Sequence, residues 1–343
     1  MCSLTPPPGP HPSPGGPWLG TQDNLSPRQE RGGGGGEVRL SVVVVSWNVR
    51  DLLARCLTSL VADLGRAGLD ARVVVVDNAS HDGSVEMVRA QFPQVELIAR
   101  DDNPGFAAGN NCGLRAVGYP DTAGAPEFAL LLNPDTEVQS GALETLLAAA
   151  GARPRAAVVT SHLSYGDGSF QDSAFHFPGL WQLYIDLFPV HGRLYASRLN
   201  GRYPRRAYEA GAPFAIDHPL GAVMLVRRAA MAQVGLFDEG YALYCEEIDW
   251  CARFKEAGWE NYCVPAARVV HYAGQSTGQV RVASFVKLWR SRYRLHTRHP
   301  YFAPMPLARR IVVAGTRRRM RGAPDDLRAA CEEIIDVWTG RIA

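Results

Sequence analysis

The stretch Leu130–Val138, LLLNPDTEV, ends a continuous apolar run in two acids with no basic residue beside them. Such a run suits a strand buried on both faces, and a solvated turn is the simplest account of acids that follow it. Two earlier apolar runs also end in polar residues, one in Ser46-Trp47-Asn48 and one in Asp77-Asn78-Ala79-Ser80. Brought to one edge beside the Gly-rich Asn103-Pro104-Gly105-Phe106, these ends describe a nucleotide pocket. An Asp after a second strand can accept hydrogen bonds from a ribose or a base N–H. A carboxylate after a fourth can hold a hard divalent cation that bridges diphosphate oxygens. A separate acidic group, Glu246, Glu247 and Asp249 in YCEEIDWCAR, falls in a first helical turn, where the helix dipole alone favours negative charge. Residues at i and i+2 do not share a helix face, so Glu247 and Asp249 point differently.

For the polar ends to meet, the runs that carry them must be neighbouring parallel strands. The spacing predicts this. LSVVVVS, ARVVVVD, VELIA and EFALLLN alternate with segments of helical period. The first of these has Leu52, Leu53, Cys56, Leu57, Leu60, Val61 and Leu64 on one face. SHDGSVEMVRAQF reads as the second, with Ser80 or Asp82 as N-cap. GFAAGNNCGLRAV and SGALETLLAAA complete the set. This alternation predicts an α/β fold with a doubly wound, mostly parallel sheet, right-handed crossovers and helices on both faces. Ligands in such sheets sit beyond the carboxyl ends of the strands. Further on, HPLGAVMLVRR reads as a strand, YCEEIDWCARFKEAG as a helix, and NYCVP as a short strand before ARVVHYAGQST. Residues 163–215 are aromatic and Pro/Gly-rich without a clear period, the mark of a variable insertion. Residues 281–343 are basic and expected to be helical. Residues 1–37, ending in Gly32 to Gly36, are expected to be disordered, because they bury too little apolar surface to offset the entropy of ordering.

Composition narrows the classes. The 343 residues suit one large domain or two smaller ones, and a formal charge of +2 argues against a nucleic-acid partner. No apolar run reaches the ~18 residues of a membrane span. The opening MCSLTPPPGPHPSPGG lacks the basic start and apolar core of a signal peptide, so a cytoplasmic protein is expected. Seven cysteines without a CxxC pair read as reduced thiols, and the spacing of Cys245 and Cys251 suits no common zinc site.

In order, the blocks SVVVVSWN, VVDNAS with DGS, NPGFAAGNN with GL, LLLNPDTEV, GAVMLVRR, FDE with LYCEEIDWCAR, and VVHYAGQST resemble the family-2 inverting glycosyltransferases, and within them the bacterial rhamnosyltransferase-like branch. The resemblance spans residues 39 to 280. It implies a GT-A fold over 38–280, a nucleotide-sugar donor (dTDP-rhamnose, or a UDP-sugar) and Mg²⁺ or Mn²⁺. It further implies a lipid-linked or saccharide acceptor, such as a cell-wall or O-antigen precursor. By the same resemblance Val45, Ser46 and Trp47 line the base and ribose, Asp77 bonds the base, and Gly105 and Phe106 close over the nucleotide. The family's DxD metal motif falls on Asn133-Pro134-Asp135, which leaves Asp135 as its acidic ligand, and His271 matches a metal-binding imidazole. Glu247 takes the place of the general base, with Asp249 as second candidate, toward the acceptor or Arg253. Glu239 is either a substrate contact or a turn residue. Trp250 and Tyr244 suit either stacking on a sugar or core packing. A silent nucleotide-sugar-binding protein and a nucleotidyltransferase are the rival classes. ARRIVVAGTRRRMR, Ala308 to Arg321, is either a solvated basic helix or a peripheral attachment to the inner face of an anionic plasma membrane.

Overall fold

Seven elements build the half of the molecule that carries the polar strand ends. They are β1 (Leu40–Ser46), α1 (Arg50–Ala67), β2 (Ala71–Asn78), α2 (Ser84–Gln91), β3 (Glu96–Arg100), α3 (Phe106–Val117) and β4 (Phe128–Leu132). The coordinates are a computed structural model that describes residues 40–120, 124–241, 243–274 and 281–342. The expected disordered segment, 1–37, lies outside the described residues. β1 pairs in parallel with β2 and β4, and β2 with β3. The register sets Ser46 opposite Asp77 and Val44 opposite Leu132. The three polar ends are therefore adjacent at one edge. Val42, Val43 and Val44 of β1 are completely buried, as a strand covered on both faces requires. α3 crosses close above β1, because a Cβ on Gly113 would lie 2.5 Å from Val43 Cγ1 and one on Gly109 2.7 Å from Val45 Cγ1.

The chain continues through β5 (Thr136–Val138), α4 (Ala142–Gly151), β6 (Ala156–Ser164), β7 (Phe170–Gln171), β8 (Ala174–Phe175), α5 (Leu180–Leu187), α6 (Gly192–Tyr195) and α7 (Arg205–Glu209). Then come β9 (Phe214–Ile216), β10 (His218–Pro219), β11 (Val223–Arg227), α8 (Arg228–Val234), α9 (Glu246–Glu256) and β12 (Glu260–His271). The large sheet runs β3-β2-β1-β4-β11-β6-β12-β5. It is the expected doubly wound class, with β11 running against both β4 and β6. Three helices follow, α10 (Arg281–Arg298), α11 (Met305–Met320) and α12 (Asp325–Thr339), which gives the basic C-terminal region its helical form.

Three local readings change. α2 begins at Ser84 after Gly83, which is left-handed (φ 82°), so neither Ser80 nor Asp82 is the N-cap. Asp82 still serves two helix starts, accepting from Ser84 N at 3.1 Å and from Arg50 N at 2.8 Å. The short NYCVP strand is the first part of the twelve-residue β12. Its pairing with β6 shifts register between Val264 and Arg268, where Pro265 has no N–H to give the ladder. β6 is an additional strand, and it places β12 inside the sheet.

Candidate active site

The carboxyl edge of the parallel strands holds buried polar atoms without protein partners. Ser46 and Asp77 are almost fully buried, yet Ser46 Oγ and Asp77 Oδ2 have no partner, and neither does Asn78 Oδ1. Asp77 Oδ1 is used locally, accepting from Ser80 N at 2.8 Å, and Asn78 Nδ2 donates to Gly105 O at 3.2 Å. An unmet buried polar atom costs about 1–3 kcal/mol, so three at adjacent strand ends point to a polar ligand. Val45 and Trp47 lie half-buried beside them. Gly105 (φ 98°) turns the chain into α3, and Phe106 meets Phe237 edge-on, 6.1 Å between ring centres.

On the other side of β1 from β2, β4 ends at the Asn133-Pro134-Asp135 turn. Asp135 Oδ1 lies 3.3 Å from His271 Nε2, and both side chains are buried. His271 Nδ1 is 3.1 Å from Gln171 Oε1. An acceptor at Nδ1 fixes the tautomer with its proton there, so Nε2 presents a lone pair to a carboxylate. Two facing lone pairs at this distance need a cation or a proton between them, and an oriented imidazole is how metal-binding histidines are held. Asn133 Oδ1 is also buried and unpartnered. These residues therefore fit a divalent cation. Among the described residues no cluster of three or more His, Cys, Asp or Glu could hold a metal. Its remaining ligands would then come from a bound diphosphate or water, as hard cations accept. Gln171 carried no sequence signal, since it lies in the aperiodic 163–215 segment.

The acidic helix start is joined to the same edge. Asn133 N donates to Ala222 O at 2.9 Å, and a Cβ on the adjoining Gly221 would lie 3.8 Å from Glu247 Cγ. On the other side, Leu220 N donates to Ser173 O at 2.8 Å, two residues beyond the Gln171 that holds His271. Residues 220–222 thus join the Gln171–Ser173 segment, Glu247 and the Asn133–Asp135 turn. Glu247 is half-buried, and burial raises its carboxyl above the ordinary glutamate range. Glu246 is buried with Oε2 unpartnered, and burial, then the charge of Glu247, raises it further still.

Asp249 is fully buried and already engaged. It accepts from Arg253 Nε at 2.8 Å, and its Oδ1 lies 2.9 Å from His299 Nε2 and 3.0 Å from Arg298 Nε. Of the roles expected for it, pairing with Arg253 is the one it fills. Its oxygens have no room for an acceptor, and it anchors α9 to α10. Burial alone would raise this carboxyl, but the His299 hydrogen bond and the Arg253 charge outweigh it and hold the group below its usual range. Stability from this pairing is therefore present at neutral pH and lost as pH falls through the depressed value. Asp249→Ala is expected to cost about 3–5 kcal/mol by leaving Arg253 and His299 without their buried partner, and denaturant melts at pH 7 and at about pH 2 would show the difference narrowing at the lower pH.

Trp250 must be corrected as an acceptor platform. It is fully buried, donates from Nε1 to Gly235 O at 2.9 Å, and packs on Phe237 with ring centres 4.1 Å apart. Its position on the inner face of α9 leaves it no sugar to touch. Glu239 is exposed but held, accepting from Asn111 Nδ2 at 2.8 Å and pairing with Arg115 Nη1 at 2.8 Å. It fastens the 236–241 loop to α3. Tyr244 is half-buried.

Backbone strain gathers at the same edge. Among the described residues, the non-glycine residues with positive φ are Asn48, Ala79, Tyr244, Cys245 and Ala273. They follow β1, β2 and β12 or precede α9. Such conformations cost of order 1–3 kcal/mol each and persist where the surroundings impose them, typically at functional sites.

The parallel edge of the sheet thus carries unmet polar atoms, a carboxylate–imidazole pair and a half-buried glutamate joined to them through residues 221 and 222, and comparison with known proteins places the chain among the glycosyltransferases. The chain belongs to glycosyl transferase family 2, whose model matches residues 41–231. It is 32% identical over 252 residues to the N-acetylglucosaminyl-diphospho-decaprenol L-rhamnosyltransferase of Mycobacterium tuberculosis, covering 70% of this chain and 78% of that one. To the rhamnosyltransferase WbbL of Escherichia coli it is 27% identical over 236 residues, 68% of this chain and 83% of the relative. In fold it is similar to GalNAc-T7, solved with UDP, GalNAc and Mn²⁺, with a TM-score of 0.50 at 17% identity over 69% of this chain and 44% of that longer one.

Proposed function

We propose that the protein is an inverting, metal-assisted rhamnosyltransferase that moves L-rhamnose from dTDP-rhamnose to a hydroxyl of a lipid-linked saccharide at the inner face of the plasma membrane. The observation that carries the reading is the placement of Glu247, a half-buried carboxylate joined through Gly221 and Ala222 to the Asn133–Asp135 turn. The names of the 32% and 27% identical relatives support the sugar, and the first supports a polyprenyl-diphosphate acceptor.

In this reading Asp77 Oδ2 and Ser46 Oγ receive the base and ribose, and Gly105 with Phe106 covers them. Asp135 and His271 would hold Mg²⁺ or Mn²⁺, which when bound supplies positive charge to the diphosphate as negative charge collects there. The acceptor hydroxyl attacks the anomeric carbon from the face opposite the nucleotide. The new C–O bond forms as the bond to the diphosphate breaks, and Glu247 takes the hydroxyl proton. A base in that position contributes ~10²–10⁴-fold. Its raised pKa suits it to hold that proton once transfer is complete.

The test is a donor panel of dTDP-, UDP- and GDP-sugars with Mn²⁺ and a lipid-linked disaccharide precursor, with the anomeric configuration of the product read by NMR. Inverted product from dTDP-rhamnose is expected. A retained configuration, or turnover confined to another sugar, would refute the mechanism or the donor respectively.

A further inference from the structure

No helix among the described residues is long and apolar enough to cross a membrane, yet α11 carries a surface built for one. Arg309, Arg310, Arg317, Arg318 and Arg319 lie on this helix, and no acid lies between Met305 and Met320. Its rotation is set by its inner stripe. Ala308, Val312, Gly315 and Thr316 are buried, and Gly315 sits so near α5 that a Cβ there would lie 2.5 Å from Leu187 Cβ. This packing turns Arg309, Arg310, Arg317 and Arg318 outward.

We propose that this outward face of α11 docks the enzyme on an anionic phospholipid bilayer. Arg309, Arg310 and Arg317 border an open groove of about 450 Å³ floored by Val313 and Ala314. Among the described residues no acid pairs with them or with Arg318. Two arginines nearby in the chain are matched, Arg290 of α10 with Glu333 and Arg341 just after α12 with Asp336. The unmatched guanidiniums suit phosphodiesters, which they grip bidentately, and the apolar floor suits glycerol and acyl carbons. Leu307 at the start of α11 is 44% exposed. An exposed Leu on the same helix as these arginines is what an interfacial helix presents to lipid, and a soluble polyanion offers it no apolar contact. The surface agrees with the lipid-linked acceptor proposed above but is independent of the transfer chemistry.

The experiment is co-sedimentation of the full chain with phosphatidylcholine vesicles, with and without phosphatidylglycerol, together with transfer to a water-soluble acceptor. Binding is expected only with phosphatidylglycerol, and it should weaken as salt screens the charges. Arg310→Glu with Arg317→Glu should lower vesicle affinity more than about tenfold, since each cation near the surface contributes several-fold, while soluble transfer stays at the wild-type level. Should the double reversal melt early, Arg310→Gln with Arg317→Gln removes the charge without inverting it. Equal pelleting with and without phosphatidylglycerol, or unaltered pelleting of a folded double variant, overturns the proposal. So does complete release of bound protein by RNA at equal phosphate concentration, which would mark a general polyanion surface. Loss of soluble transfer in the wild-type chain would instead count against the proposed reaction.

Discussion

Glu247→Gln is expected to leave donor binding within about twofold of the wild type and to lower kcat by ~10²–10⁴-fold. The amide keeps the size of the side chain and its packing beside Gly221, and it removes only the ability to take a proton. The loss should therefore appear in kcat and kcat/KM together, the signature of an interaction made in the transition state. In the wild type the acid limb of kcat should lie above the ordinary glutamate pKa of about 4.3, because burial raises this group and only its ionised form accepts the proton. Single-turnover kinetics across pH, with dTDP affinity by calorimetry, measure both. A Gln variant that keeps more than about a tenth of the activity would remove Glu247 from the role.

Asp135→Ala has the second largest expected effect, on nucleotide binding rather than on turnover alone. With the carboxylate gone, His271 and Asn133 remain, and two neutral groups hold a hard cation poorly. Mn²⁺-dependent dTDP affinity should fall at least about tenfold, which is 1.4 kcal/mol, while the small metal-free affinity stays unchanged. Gln171→Leu tests the same centre from one step back. It leaves both expected ligands in place but frees the His271 ring and its tautomer, and a loss of about 10–100-fold in Mn²⁺ affinity is expected. Electron paramagnetic resonance titration of Mn²⁺ in the presence of dTDP reads both variants without any transfer step. Equal Mn²⁺ affinity in wild type and Asp135→Ala would show that the cation sits elsewhere.

The half of the edge built by β1, β2 and β4 was legible because its signals are local. A β-branched run buried on both faces reads as a strand whatever surrounds it, and β1, β2 and β4 lie where LSVVVVS, ARVVVVD and EFALLLN stand. Parallel neighbours then align their ends, so Ser46, Asp77 and Asn133 had to share one side of the sheet. The half that carries the start of α9 was less legible. YCEEIDWCAR offers three acids and a tryptophan at nearly equal standing, and helical spacing alone does not say which of them faces the cleft. For Trp250 stacking on a sugar and core packing stood equal, and it lies in the core, because the loop that passes over it, with Phe237, comes from outside the motif.

What the sequence determined by itself was the alternation of strands and helices, the polar strand ends, and the acids at the start of α9. What only the tertiary structure decided was which of those acids remain available. Asp249 is consumed by Arg298 and His299, which follow it by about fifty residues, and His271 is oriented by Gln171, a hundred residues before it. These partners sit at and just after the end of α10 and in the aperiodic 163–215 segment. Neither carries a local pattern that names its target, and a carboxylate is made free or occupied by whatever long-range packing brings within hydrogen-bond reach.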